Sequence, residues 1–175
     1  MSSSLATRPS TTEYAPYYGR YVGLVPEGDI VQTLSRQLEE TLSLLGNISE
    51  SQAGHRYAPD KWSIKEVVGH IVDSERIFAY RVLRFARNDK APIEGFDQDE
   101  FAQNSRFDDR TLADLVEEFE HVRRANLILF RSFTDETLGR RGIASDFEVS
   151  VRALIYIIAG HERHHIEVLK TRYLA

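Results

Sequence analysis

The sequence contains no cysteine among its 175 residues. This absence excludes a disulfide framework, a thiolate zinc site, an iron–sulfur cluster and a cysteine nucleophile. Any metal ion must therefore be bound by histidine, aspartate or glutamate. A reaction that uses a sulfur nucleophile would need a thiol brought by a substrate.

Basic residues and long apolar runs are also scarce. The chain has 22 Lys and Arg against 27 Asp and Glu, a formal net charge of -5, whereas nucleic-acid binding needs a concentrated basic face. The longest apolar run, residues 153–159, is too short to cross a bilayer, and residues 1–10 lack the apolar stretch of a secretory signal. We therefore expect a cytoplasmic protein with no nucleic-acid partner and no membrane partner.

Residues 1–28 show no helical pattern and are expected to form an irregular, partly disordered N-terminal arm. The Ser- and Thr-rich start predicts disorder over roughly the first dozen residues. The rest of the arm carries a group of tyrosines, Tyr14, Tyr17, Tyr18 and Tyr21. Because these aromatic residues are too many for a free tail, we expect this part to lie against the domain or against a partner subunit.

Residues 29–175 contain four segments in which apolar residues recur three and four positions apart, as in amphipathic helices. Each helix is predicted to begin at a capping residue: Asp29, Ser63, Thr111 and Ser150. Residues 142–149 could pair as a short hairpin, but no other segment alternates with a period of two. The chain is therefore predicted to be all-α, with a single four-helix bundle domain.

Three histidines stand out from the six in the sequence. His161 and His165 are four residues apart on the apolar stripe of the fourth helix, and His70 borders the core on the second. A lone buried histidine is usually neutral and hydrogen-bonded, but two on one buried face must be neutral, hydrogen-bonded or bound to metal. If these helices pack antiparallel, a rise of about 1.5 Å per residue brings all three to one level. The spacing is consistent with one divalent metal ion and an open position for water or substrate.

Two other metal sites compete with this interpretation. Residues 161–165 match the H-E-x-x-H motif, in which Glu162 would act as the general base of a protease. In those proteases the third ligand lies farther along the chain, and after His165 this sequence offers only the nearby Glu167. The third ligand must therefore come from upstream, unlike in those proteases. A di-iron site needs two glutamates, each three residues before a histidine, and of His70, His161 and His165 only His165 has one, Glu162. One metal ion fits better than two.

The histidines lie in segments that resemble the DinB/YfiT-like superfamily. These segments are Lys-Trp-Ser-Ile-Lys-Glu-Val-Val-Gly-His-Ile-Val-Asp-Ser-Glu-Arg at residues 61–76, Tyr80-Arg81, and Gly-His-Glu-Arg-His-His at residues 160–165. The resemblance covers about residues 30–174 and implies a four-helix bundle with zinc or nickel bound by His70, His161 and His165. It also implies a homodimer. Some relatives are transferases or isomerases that use mycothiol, bacillithiol or glutathione, and others are known as metal-dependent hydrolases.

A divalent ion on three neutral imidazoles keeps its full charge and would acidify a bound water or thiol. Water would give hydrolysis and a thiol would give transfer. The favoured hypothesis is a metal-dependent enzyme that joins a low-molecular-weight thiol to a small-molecule substrate. The alternatives are a hydrolase and a non-catalytic, metal-binding, stress-associated dimer.

Two further residues are candidate catalytic groups. Asp73, three residues after His70, could hydrogen-bond a ligand ring or face the open position, or it could be an exposed carboxylate. His164 points away from the other two histidines of its helix and could shuttle protons at a subunit contact, or simply pack. Aromatic residues between 96 and 107 could line the mouth of the site or plug the end of the bundle. Ion pairs are expected for three more residues: Glu75, Arg81 and Glu162.

Overall fold

The computed structural model describes residues 4–175, and for Ser4 it describes the backbone alone. The helices are α1 (Gly19–Val22), α2 (Ile30–Gly46), α3 (Glu50–Ala53), α4 (Ile64–Ala86), α5 (Gln98–Ser105), α6 (Leu112–Arg131), α7 (Asp135–Gly139) and α8 (Val151–Val168). The strands are β1 (Arg141–Ala144) and β2 (Phe147–Ser150). Short 3₁₀ turns cover Ser4–Ala6, Pro16–Tyr18 and Phe107–Asp109, and a π-helical segment, Leu169–Tyr173, continues α8.

The four long helices begin where the sequence predicts. The side chain of each predicted capping residue accepts a hydrogen bond from a backbone N–H of the first turn, which would otherwise lack a partner. At Ser63 the bond is reciprocal, because the Glu66 side chain accepts from the Ser63 backbone. Within residues 4–175, no helix has both the length and the apolarity needed to span a membrane.

The long helices form a four-helix bundle in which α2 and α4 each pack against both α6 and α8. Helices α4 and α8 are antiparallel. At one end the Tyr173 hydroxyl donates to the Trp62 carbonyl oxygen over 2.8 Å. At the other end Phe85 packs against Gly142, shortly before α8 begins. This antiparallel pair is the arrangement that the histidine prediction requires.

The predicted hairpin is present, and it anchors the long connector after α4. Strands β1 and β2 are antiparallel, with Ala144 opposite Phe147. Ser145 and Asp146 form the turn with left-handed φ values of 50° and 66°. The Ile93 N–H donates to the Ile143 carbonyl, and the Ser145 N–H donates to the Ile93 carbonyl, over 3.0 and 2.9 Å. The hairpin therefore fixes the connector beside the end of α4.

The N-terminal arm lies against the bundle, and this differs from the predicted disorder of its first dozen residues. Leu5 packs against the core, and the Arg8 guanidinium donates to the carbonyls of Val22 and Val25 over 2.7 and 2.5 Å. The buried Glu13 carboxylate accepts a 2.7 Å hydrogen bond from the Ser150 hydroxyl. Composition could not reveal these contacts because the partners of polar residues are distant in the sequence. Residues 1–3 lie outside the described part of the chain.

A buried polar layer crosses the middle of the bundle and receives side chains from all four long helices. The Arg123 guanidinium contacts Glu75 at 2.8 and 2.7 Å and Glu162 at 2.9 Å. Gln37 and Thr41 donate to Glu162 over 2.8 and 2.7 Å. Burial alone would lower the pKa of Arg123, but the charges of Glu162 and Glu75 raise it above its usual value. The predicted ion pairing of Glu75 and Glu162 is confirmed.

Candidate metal centre

Helix α4 supplies His70 and helix α8 supplies His161 and His165, and their rings meet at one point. One ring nitrogen from each histidine lies within 4.8 Å of the other two. The Nε2 of His161 is 3.1 Å from the Nε2 of His70 and 3.2 Å from the Nε2 of His165. Two nitrogen ligands of a tetrahedral zinc ion lie about 3.3 Å apart. The structure therefore brings the three selected histidines together at a spacing that suits one divalent cation.

Hydrogen bonds among the three rings cannot account for this arrangement. An imidazole nitrogen has one in-plane position, which holds either a proton or a lone pair. The Nε2 of His161 faces two other Nε2 atoms at hydrogen-bond distance, so it can satisfy only one of them. A cation shared by all three nitrogens satisfies the set, and the donor chemistry fits a metal ion.

Burial keeps the three imidazoles neutral. Desolvation lowers the pKa of His70 to about 4. Desolvation, together with the nearby charges of His70, His164 and Arg20, lowers the pKa of His165 to about 3. The pKa of His161 is lowered well below its usual value, first by burial and then by the other two histidines. At neutral pH each ring therefore offers a lone pair, and no proton has to leave before a metal binds.

Aromatic side chains form the walls of the site. The Trp62 ring packs on His70 with centroids 4.8 Å apart, and the Tyr21 ring packs edge-on against His161 at 5.3 Å. The Ser74 hydroxyl lies 3.5 Å from the Nδ1 of His70 and is the outer contact of that ring. Ser74 lies one turn after His70 on α4, and the sequence alone gave it no role. Tyr21 belongs to the arm that was predicted to lie against the domain.

Gly160 allows the arm to reach the site. A Cβ atom at this position would lie 2.0 Å from the carbonyl oxygen of Tyr21, so only glycine permits α1 to pack flush against α8. Gly160→Ala is therefore expected to displace α1 and to expose His161. Trypsin should then cleave faster after the exposed Arg20.

The control for this prediction is Gly139→Ala, because a Cβ at Gly139 would meet nothing within 4 Å. The rate of cleavage after Arg20 is measured by mass spectrometry for the wild-type protein and both variants. Equal rates in all three proteins would show that the arm does not depend on Gly160.

The two predicted catalytic residues lie in different surroundings. Asp73 is half-buried and faces α6, where burial raises its pKa, Arg76 opposes the rise and Glu118 adds to it. Among the described residues no contact joins Asp73 to the three histidines. His164 packs against Tyr21 and His165, with ring centroids 5.5 and 5.1 Å apart. Burial, and after it the charge of Arg20, lowers the pKa of His164. His164 is therefore a neutral imidazole beside the site.

The position of Glu162 argues against the protease interpretation of residues 161–165. Its carboxylate is buried in the polar layer with Arg123, Gln37 and Thr41. A general base must contact the reacting water, and this carboxylate is already engaged by three donors. The match to the protease motif is therefore a coincidence of spacing.

The aromatic residues between 96 and 107 have both predicted roles, since one plugs the end of the bundle and another lines the approach to the site. The Phe107 ring plugs the end of the bundle by packing on Gly69, where a Cβ would lie 2.5 Å from it. Phe96 instead lines a cavity beside the histidines.

Two cavities reach the three histidines. The first, which we call the Arg81 cavity, has a volume of about 250 Å³ and is lined by Tyr17, Tyr18, Tyr21, His70, Ser74, Phe78, Arg81, Phe96, Gln98, Ser145 and His161. The second, the Trp62 cavity, has a volume of about 430 Å³ and is lined by Tyr57, Asp60, Lys61, Trp62, Val67, Gln98, Asp99, His164, His165, Val168 and Tyr173. The histidines can therefore be approached from two sides.

Metal-free protein is expected to lose stability as the pH falls from 6.5 towards 4. Unfolded histidine titrates near 6.5, whereas folded His70 stays neutral down to about 4. In this window the unfolded chain binds more protons, so the free energy of unfolding rises with pH and the contribution of His70 is complete above 6.5. For His70 alone, the gap from 6.5 to about 4 corresponds to about 3 kcal/mol.

Urea unfolding of chelator-treated protein across this pH range measures the effect. His70→Leu is expected to flatten the profile. His121→Ala, at an exposed position of α6 where the Nδ1 contacts the Glu117 carbonyl, is the control for removal of a histidine outside the site. A profile for His70→Leu as steep as that of the wild type would contradict the prediction.

Known proteins resemble this chain in sequence and in fold. The family model of the DinB superfamily matches residues 33–169. An Oceanobacillus iheyensis protein provisionally named a metal-dependent hydrolase is 25% identical over 142 residues, which cover 80% of this chain and 79% of that protein. The solved structure of YfiT from Bacillus subtilis, described as a probable metal-dependent hydrolase with an unusual four-helix bundle topology, has a TM-score of 0.69 and covers 95% of this chain and 97% of its own. Its sequence identity is 14%, so this likeness shows the fold alone.

Proposed function

Because the chain belongs to the DinB superfamily, we propose that it is an enzyme that depends on one divalent metal ion bound by His70, His161 and His165. The observation that carries the proposal is the convergence of three imidazole nitrogens from two helices. Imidazole suits zinc and nickel, and these are the proposed ions. When bound, such an ion supplies a nucleophile near neutral pH by lowering the pKa of a water or thiol.

We propose that the reaction is the transfer of a low-molecular-weight thiol to a second small molecule. The Arg81 cavity and the Trp62 cavity approach the histidines from different sides, which gives two substrates separate routes to one centre. The chain has no cysteine, so the sulfur nucleophile must be a substrate. Mycothiol, bacillithiol and glutathione are the proposed thiols.

The residues around the centre would position these substrates. Trp62 and Tyr21 cover the rings of His70 and His161 and limit the entry of water. His164 lines the Trp62 cavity as a neutral imidazole and can accept a proton from a molecule held there. Asp73 faces α6 and has no place in this scheme.

Hydrolysis is a second candidate, and the descriptions of the two relatives favour it. The same three histidines would serve it, with water in place of the thiol. In that case the Trp62 cavity would hold part of a single substrate rather than a thiol.

The test uses protein purified without a histidine tag and loaded with zinc or nickel. Consumption of each thiol is followed in the presence of an electrophilic acceptor, and hydrolysis of ester, amide and lactam substrates is followed without thiol. Metal-dependent thiol consumption that His161→Ala abolishes is the expected result. Hydrolysis without a thiol would select the second candidate. A metal-loaded protein inert in both assays would leave only the non-catalytic metal-binding dimer.

A further inference from the structure

Arg81 is a buried cation without an acidic partner. Its side chain is 2% exposed, and no carboxylate among residues 4–175 pairs with it, although sequence reasoning predicts an ion pair. Its Nη2 donates to the Glu94 carbonyl over 3.1 Å and to the Ser145 hydroxyl over 3.0 Å. Its buried Nε has no acceptor in the described part of the chain. Within residues 4–175 the positive charge is therefore held by neutral groups only: these two oxygen acceptors and the Phe78 ring, whose centroid lies 5.7 Å from the guanidinium carbon.

The other fully buried arginine of the bundle shows what this charge lacks. Arg123 contacts two carboxylates, Glu75 and Glu162. An uncompensated buried charge is strongly unfavourable, so buried guanidinium groups are normally paired. Arg81 departs from this rule at the wall of the cavity that reaches the metal centre.

The lining of the Arg81 cavity is electrostatically one-sided. Among the lining residues that the structure describes, Arg81 is the only fully charged side chain and none is an aspartate or glutamate. The remaining lining side chains are neutral, and three of them are tyrosines with hydroxyl groups. Such a cavity favours an anion and disfavours a cation.

Helix α4 supplies the residues at both ends of the Arg81 cavity, His70 and Arg81. Arg81 follows His70 by eleven residues, or three turns of α4, so the two side chains lie on one stripe with Cα atoms about 16 Å apart along the axis. Side chains on a helix lean towards its N-terminus, so the guanidinium reaches back towards His70. One molecule in the cavity can therefore contact the histidines at one end and Arg81 at the other.

We infer that the Arg81 cavity binds the carboxylate of an acidic small molecule, with Arg81 as its counterion and the reacting group of the same molecule directed at the histidines. The part of this inference that concerns the reaction of the acidic molecule rests on the proposed function, whereas the part that concerns its binding does not. A guanidinium donates strong charge-assisted hydrogen bonds to a carboxylate. The substrate therefore carries its carboxylate several bonds away from the atom that reacts.

The binding test uses wild-type protein with and without zinc. Thermal shift and calorimetry are recorded with glutarate, adipate and suberate, with the diol of each chain length as a neutral match, and with inorganic phosphate. At least one of the acids is expected to bind, with an affinity at least about tenfold above that of its diol. Binding of phosphate but of none of the acids, or equal binding of acid and diol, would overturn the inference.

Variants assign the binding to Arg81. Arg81→Met is expected to weaken the acid at least about tenfold, Arg81→Lys to weaken it less, and Arg131→Met, at an exposed position of α6, to have no effect. Circular dichroism checks each fold, and if Arg81→Met does not fold, Arg81→Lys and the diol comparison decide. Unchanged affinity in a folded Arg81 variant would refute the role of Arg81.

Metal content separates the two proposals. If wild-type protein does not take up zinc, the proposed function fails, while Arg81-dependent binding of the acid to metal-free protein still supports the carboxylate site. If the protein takes up zinc and no acid binds, the carboxylate site fails and the metal centre stands.

Discussion

His161→Ala is expected to weaken the binding of zinc or nickel by more than about 100-fold. The Nε2 of His161 is the atom that both measured nitrogen separations share, at 3.1 and 3.2 Å. Loss of a residue that only hydrogen-bonds a metal ligand, without touching the metal, weakens metal binding about 10- to 100-fold. Loss of this ligand should exceed that range. Competition with a chromophoric chelator measures the affinity in untagged protein.

His121→Ala is the matched control for this prediction. His121 is exposed on α6, where it contacts the Glu117 carbonyl, and its removal should leave metal affinity unchanged. Circular dichroism confirms that both variants are folded. If the two variants lose affinity equally, metal binding is a general property of surface imidazoles and not of the three convergent histidines.

Arg123→Met is expected to lower the free energy of unfolding by about 3–5 kcal/mol. Methionine fills part of the volume, but it leaves the carboxylates of Glu75 and Glu162 buried without their counterion. Breaking a buried pair from one side is more costly than removing the whole network. Urea unfolding at neutral pH measures the loss.

The next residue provides the control. Arg124 is 53% exposed and pairs with Glu120 on the surface, so Arg124→Met should change the free energy of unfolding by at most about 1 kcal/mol. Adding Glu75→Gln and Glu162→Gln to Arg123→Met should recover part of the stability. Similar effects of Arg123→Met and Arg124→Met would mean that the buried layer contributes no more than a surface pair.

Local sequence signals predicted the helices well. A capping side chain at Asp29, Ser63, Thr111 or Ser150 acts on backbone groups two or three residues away, so its effect can be read from adjacent positions. The convergence of His70 with His161 and His165 could also be predicted from the sequence. Helical spacing places His161 and His165 on one face of their helix, and antiparallel packing places His70 at the same height along the bundle.

Contacts between distant segments were not accessible in the same way. Arg123 lies in a charged stretch of α6 and looks like an exposed residue, yet its partners come from α4 and α8. Gly160 lies within an apolar helical pattern, and nothing near it in the sequence indicates that Tyr21 will pack against it. Helical spacing also made Asp73 a candidate for the site, but a residue three positions from His70 is rotated about 60° away and faces α6.

Anomalous diffraction at the zinc or nickel absorption edge, from crystals of metal-loaded untagged protein, tests the central claim most directly. The account predicts one peak, bonded at about 2.0–2.1 Å to a nitrogen of His70, His161 and His165. A peak bound to other residues, or no peak at these three rings in metal-loaded crystals, would contradict it.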